Sequence, residues 1–256
     1  MDKNAFLNSI SFEDKNLLSN LYDKINLAEK VHQTMYSNEF LPPNVWKAVL
    51  KLKNNFDINI YTYGVFQESE RRIIAFSKDT VQEYPISLVK ITNKSKFHEL
   101  KHKDYLGAIM SLGIIREKYG DMIIKGSSIY VPVNNDICEF LIENLSLVGK
   151  CPCSAEKITN YDELDLKPES EDIIIQTSSL RLDCVIGSIC NISRNKASDM
   201  IDSGKVFVNY EELNERNKNI QMQDVITIRG YGKYAIDKEI GNTQKGRLKL
   251  LIKKYI

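Results

Sequence analysis

The chain has 256 residues, 43% of them hydrophobic and 27% charged, with a formal net charge of +1. That is enough apolar material for two or more cores, which excludes a disordered or fibrous chain. No apolar run reaches the roughly 18 to 20 residues that a membrane span requires. The near-neutral total hides an asymmetry. From Arg181 onward, 14 Lys and Arg face 9 Asp and Glu, a net of +5, whereas the rest carries 21 against 25, a net of −4. A basic end on an acidic body suits a polyanionic partner, although an excess this small is also what ordinary solvated surface charge gives. The opening Met1-Asp2-Lys3-Asn4 has no basic region followed by an apolar stretch, so no signal peptide is read and a cytoplasmic location is expected. The five cysteines (Cys138, Cys151, Cys153, Cys184 and Cys190) are odd in number and scattered, which favours reduced thiols.

Leu17, Leu18, Leu21, Ile25, Ala28, Val31 and Met35 recur at helical steps and predict a first helix. Pro42-Pro43 interrupts the chain, and Asn44 is placed to cap a second helix that carries Val45, Trp46, Val49 and Leu52. Ile58 to Phe66 and Arg72 to Phe76 have strand composition, with a polar turn at Gln67 to Glu70. These make residues 1–80 a helical and β-hairpin region.

Residues 81–159 follow a recognisable order. Strand character at Ile86–Ile91 is followed by a helix at Tyr105–Leu112. Two strands come next, at Met122–Lys125 and Ile129–Val133, then a helix from Asp136 to Leu145 and a last strand within Val148–Ile158. This is βαββαβ, the ferredoxin-like plan shared by RRM domains. The stacking aromatics of an RRM are not evident; Tyr130 is the one candidate, and a core or edge tyrosine accounts for it as well. Residues 160–177, acidic and polar with Pro168, read as a linker that ends in a strand at Ile173–Gln176.

Residues 178–256 carry the basic excess. A short helix opens after Arg181, with Leu182, Val185, Ile186 and Ile189 on its inner side. Ser193 caps a second helix, which Gly204 ends. Lys205–Asn209 and Asp224–Ile228 alternate as strands. Arg194 and Lys196 stand at the start of the second helix, where the dipole and free amides favour an anion. Arg181 opens the first helix, Lys205 follows the glycine stop, and Arg229 and Lys233 flank Gly-Tyr-Gly.

The run RLDCVIGSICNISRNKASDMIDSGKVFVN, followed by DVITIRGYGKY, resembles the S4 RNA-binding domain. The specific elements are RLD, SR-x-x-A, I-x-x-G-x-V-x-V-N and the closing D-x-I. The resemblance implies two helices on a small sheet that grip structured RNA by shape and phosphate. Arg181, Ser193 and Arg194 match S4 positions that face RNA. Lys196, Lys205, Asn209, Arg229 and Lys233 complete the candidate RNA-binding set. Lys96–Ile124 (KFHELKHKDYLGAIMSLGIIREKYGDMII), with FLPP at Phe40–Pro43 and GNTQKGR at Gly241–Arg247, resembles the YlmH family over nearly the whole chain. That resemblance implies an α+β region ahead of a C-terminal S4 domain. It also implies a ribosome-associated quality-control factor whose partners are the large subunit, 23S rRNA and peptidyl-tRNA. What Lys96–Ile124 touches is not fixed by it.

Other constellations point away from catalysis. Cys151-Pro-Cys153 is at most half a metal site, with no second pair nearby. His98 and His102 would share a face only if helical, and they lack the HExxH arrangement. Neither G-x-G-x-x-G nor a Walker lysine is present. The expectation is therefore no catalytic residue, metal, cofactor, small-molecule substrate or membrane partner. An rRNA-modifying enzyme anchored by an S4 domain is the competing class, and it would need an aspartate motif or an adenosylmethionine loop. A cell-division-associated factor is a third class, implied by family association only.

Overall fold

Asp2 accepts the amide of Ala5 and Asp14 that of Leu17, which caps α1 (Lys3–Ser9) and α2 (Lys15–Val31). The computed structural model describes residues 1–160 and 166–255. Leu18, Leu21, Ile25 and Ala28 form the buried stripe of α2. His32 then takes a left-handed conformation and donates its amide to Ala28, ending the helix. Met35, read from the sequence as a helical residue, consequently lies in β1 (Met35–Tyr36). α3 (Pro43–Lys51) starts on Pro43, whose fixed φ suits the first helical position. Asn44, expected as the cap, therefore sits one residue inside. β2 (Asn59–Tyr63) and β3 (Ile73–Ser77) complete a three-stranded sheet in the order β1-β3-β2. Phe6, Leu18, Ile25, Val45, Ile74 and Phe76 pack between helices and sheet.

The next elements are β4 (Ile86–Asn93), α4 (His102–Ser111), β5 (Ile123–Lys125) and β6 (Ser128–Asn134), followed by α5 (Asn135–Asn144), β7 (Leu147–Val148) and β8 (Cys151–Ile158). The sheet order is β5-β6-β4-β8-β7, antiparallel throughout. Without β7, the order is fourth-first-third-second, which is the ferredoxin-like arrangement. The expected last strand is in fact a hairpin, turning at Gly149 and Lys150. His98 precedes α4 while His102 begins it, so the two histidines do not share a helix.

Alternation in the strands separates two faces. Val89, Ile91, Ile129, Val131 and Val133 pack under Tyr105, Ile109 and Leu141 of the two helices. On the other face, Leu88, Ile123 and Tyr130 form a second cluster with Phe66 and Leu166. Phe66 comes from the loop between β2 and β3. That loop is held by the Ser69 hydroxyl, which donates to the Gly64 carbonyl at 2.6 Å, and by Asp121, which accepts the amides of Glu70 and Arg71 at 2.5 and 3.1 Å. The side of the sheet that RRM domains leave open is thus partly occupied by the chain itself, and Tyr130 is a core residue.

The chain divides into Met1–Lys167 and Pro168–Ile256. Of the linker read at 160–177, residues 161–165 lie outside the described residues, and its end is part of a sheet. β9 (Ser170–Thr177) pairs along its whole length with the C-terminal strand. The second unit continues with α6 (Leu182–Cys190), α7 (Arg194–Asp202), β10 (Val206–Val208), β11 (Glu211–Glu212), β12 (Val225–Ile228), β13 (Gly232–Asn242) and β14 (Leu248–Tyr255). Its six strands run in the order β11-β10-β12-β13-β14-β9. Leu182, Val185, Ile186, Ala197 and Ile201 bring both helices down onto Val206, Ile226, Ile228, Ile236, Leu250 and Ile252. The sequence expectation of a small sheet missed β13 and β14, whose lysines and glutamates mask the alternation.

Among the described residues, no helix is long and apolar enough to cross a membrane.

Candidate nucleic-acid interface

The sharpest electrostatic feature of the second unit is a buried carboxylate shared by two arginines. Asp183 lies in the first turn of α6 with its side chain only 3% exposed. Arg181, the residue that caps this helix, reaches it through Nε and Nη2 at 3.2 and 3.0 Å. Arg194, the first residue of α7, donates Nε to the same carboxylate at 2.8 Å. Burial disfavours the ionised carboxylate, but the hydrogen bonds from Arg181 and Arg194 prevail and hold it well below the usual range. Both guanidinium groups remain open to solvent, 38% exposed for Arg181 and 57% for Arg194.

Two arginines on one carboxylate leave a local surplus of one positive charge. Asp183 also fixes both side chains, so little rotamer entropy remains to be lost when an anion arrives. A guanidinium has five N–H donors; Arg194 commits only Nε to the carboxylate, and the remainder suit a phosphate oxygen.

The backbone distinguishes the two helix starts. In α6 the Leu182 and Asp183 amides donate to the carbonyls of Lys218 and Arg216 at 2.8 and 3.2 Å, so the 211–219 segment closes that end. In α7 the Ser193 hydroxyl accepts the Lys196 amide at 3.4 Å. Ser193 is therefore engaged as a cap, as its spacing implied, while Lys196 is exposed in the first turn beside Arg194.

The remaining candidates lie elsewhere on this unit. Lys205 is exposed past the far end of α7, whose 9 residues span roughly 13 Å at 1.5 Å per residue. Its carbonyl accepts the Arg229 amide at 2.9 Å, so these two cations are neighbours. Arg229 also lies over the ring of Phe207, 5.1 Å from its centre. The Lys233 ammonium is 4.7 Å from the Tyr255 ring centre and 5.4 Å from that of Tyr210. Asn209 serves the backbone. At φ 52° it donates to the Asp224 carboxylate at 2.8 Å and accepts the Val225 amide at 3.0 Å, clamping the turn before β12. The eight residues thus divide into Arg181–Ser193–Arg194–Lys196 around the helix starts, Lys205–Arg229 at the strand ends, Lys233 on an aromatic bed, and Asn209 inside a turn.

Sequence reasoning overlooked Arg216, which forks onto Asp202 at the end of α7 with Nε to Oδ1 at 2.8 Å. Its segment has no periodicity to flag it. In the first unit, Arg71 and Arg116 are committed internally. Arg71 donates to the Phe40 carbonyl at 2.8 Å, and Arg116 donates to Tyr119 and Gly120 carbonyls at 2.7 and 3.2 Å. Burial, together with the neighbouring Arg71 charge, brings Arg116 down to about 10. The thiols of Cys151 and Cys153 are both buried, and burial pushes the latter up.

The fold is α+β, and the exposed arginine pair on a buried carboxylate gives its second unit a surface suited to an anionic partner. Residues 80–162 match the family model described as the putative RNA-binding domain in YlmH. The chain is 29% identical over 220 residues to the ribosome-associated protein quality control protein P2 of Bacillus subtilis (strain 168), covering 83% of this chain and 84% of that relative. It is also similar to the solved structure of the cell division protein ylmH from Streptococcus pneumoniae. There the identity is 25% and the TM-score 0.50, with 61% of this chain and 97% of the solved one covered. These three findings bear out the resemblance to the YlmH family that the motifs carry.

Proposed function

We propose that this protein is a non-catalytic factor that grips structured RNA of the large ribosomal subunit, with 23S rRNA and peptidyl-tRNA as partners, in quality control of stalled nascent chains. Its second unit is read as an S4 domain. The observation that carries the reading is the Arg181–Asp183–Arg194 arrangement: a buried anion holds two solvent-facing guanidinium groups at the N-terminal ends of adjacent helices. Such a surface recognises the sugar-phosphate contour of a folded RNA and reads little sequence. The similarity to a relative named as a ribosome-associated quality-control protein supports the cellular setting, and a cytoplasmic location goes with it.

Crosslinking the full-length protein to RNA in cells, followed by sequencing, tests this reading. Reads concentrated in 23S rRNA and tRNA are expected. Reads spread over messenger RNA in proportion to abundance would overturn it. A modifying enzyme would be revealed by loss of one nucleotide modification from rRNA in a deletion strain. The solved relative from Streptococcus pneumoniae is named a cell division protein; co-purification with division proteins in the absence of RNA would favour that alternative.

A further inference from the structure

The connection from β4 to α4 is exposed, basic and ordered. Lys94, Lys96, His98 and Glu99 are exposed, as are Lys101 and Lys103, and Phe97 at the loop's crest is 92% exposed. A phenylalanine so fully in water has no packing role; its ring contributes nothing to any core. Nor is the loop a slack tether. The side chain of Asn93, itself buried, holds both of its ends: Nδ2 donates to the His98 carbonyl at 2.7 Å and Oδ1 accepts the Ser95 amide at 2.9 Å. The Lys94 amide is fixed to the Pro152 carbonyl at 2.9 Å. Phe97 is presented on a built turn.

The sheet brings further cations to the same end. Lys125 pairs with Ser128, which pairs with Thr92, the residue before Asn93. The Asn93 amide donates to the Ser127 carbonyl in the turn beside Lys125 at 2.8 Å. Lys150 lies in the β7–β8 turn, next to the strand end that faces Asn93. Exposed Lys94, Lys96, Lys101, Lys103, Lys125 and Lys150 thus lie at the same end of the sheet as the exposed Phe97 ring. The acidic residues of the loop and helix start are Glu99 and Asp104, and Asp104 already accepts the Lys101 amide at 2.8 Å. The usual face for base stacking on a ferredoxin-like sheet is partly filled by Phe66 and Leu166 over Tyr130, whereas Phe97 at this sheet end is almost wholly in solvent, far more so than the half-exposed Phe140 of α5.

We propose that the loop 94–101 binds an unpaired segment of RNA, with one nucleobase stacked on Phe97 and the flanking phosphates neutralised by Lys94, Lys96 and Lys101. The lysines at this sheet end select a polyanion, and a bare aromatic face accepts any base, since every base offers a π-face. A helical RNA is excluded by the same geometry, because its bases are stacked on one another and cannot receive the ring. This inference rests on the RNA-binding reading above and adds a second, single-stranded contact to the shape-reading surface of the C-terminal unit.

The test uses full-length protein and two probes, a short fluorescein-labelled oligouridylate and a folded rRNA helix without unpaired loops. For Phe97→Ala, oligouridylate affinity is expected to fall about tenfold, within the range of one stacked base, with affinity for the folded helix unchanged. Phe97→Trp should restore binding, and its indole emission should be quenched on adding oligouridylate beyond any change in the parent protein. Lys94→Ala with Lys96→Ala should lower the salt dependence of oligouridylate binding. If Phe97→Ala binds oligouridylate as the parent does while the folded helix still binds, the loop assignment is overturned and the RNA-binding reading stands. If the parent binds neither probe, the RNA-binding reading itself fails. If Phe97→Ala keeps oligouridylate affinity but loses association with ribosomes, the ring contacts protein instead, and the proposal is overturned.

Discussion

Arg194 at the start of α7 and Asp183 in the first turn of α6 are eleven residues apart in sequence and joined at 2.8 Å. This contact ties the two helices together at their N-terminal ends and aims two cations outward. Replacing Asp183 by Ala should therefore have a double effect. Loss of charged hydrogen bonds to a buried acceptor should cost roughly 1.5 to 3 kcal/mol in chemical denaturation. Binding of folded RNA should weaken as well, although no cation has been removed, because the arginines are no longer held.

The same carboxylate sets a pH dependence. Its acid constant in the folded chain is depressed below the unfolded value, because the bonds from Arg181 and Arg194 outweigh burial. Its contribution to stability is therefore complete above the unfolded value of about 4 and is lost progressively as pH falls below it toward the folded value. Denaturation midpoints measured at neutral and acid pH should converge between the parent and Asp183→Asn as acidity increases.

Gly204 ends α7 at φ +65°, and a Cβ there would lie 2.7 Å from a carboxylate oxygen of Glu212. Gly204→Ala should destabilise the protein by about 1 to 2 kcal/mol from the left-handed backbone alone. The Glu212 contact ends at a flexible tip and can shift. Gly204→Asn should cost less, since asparagine tolerates this conformation better than alanine. Thermal melting of the two variants side by side checks the order.

Phe66 covers Leu88, Ile123 and Tyr130 on the sheet face away from the helices. Phe66→Ala should cost about 3 to 5 kcal/mol, as for other large buried aromatics. It should also raise hydrogen exchange at the amides of β5 and β6. A surface-like cost below about 0.5 kcal/mol would show that the loop does not seal this face.

Much of the fold was legible where one periodicity ruled a segment. The α2 stripe of Leu18, Leu21, Ile25 and Ala28, the βαββαβ order, and the Ser193 cap with the Gly204 stop all follow from local rules. What was hidden depends on distant chain. That Tyr130 is covered depends on Phe66, far upstream. Asp183 could be seen in the RLD motif, but only folding brings Arg194 to it. The turn role of Asn209 was hidden too, since its side-chain amide meets Asp224 and Val225, partners that only folding brings near. Phe97 lay in a segment singled out by resemblance, yet sequence alone cannot tell a core phenylalanine from one left in water.

The central claim is that Arg181 and Arg194 grip folded RNA as a pair. Large-subunit co-sedimentation of the Arg181→Ala, Arg194→Ala double variant, measured against salt and with the fold checked by circular dichroism, tests it most directly. The prediction is much weaker binding and a slope of log affinity against log salt reduced by about two, one for each lost phosphate contact. Parent-like affinity and slope in a folded double variant would contradict it.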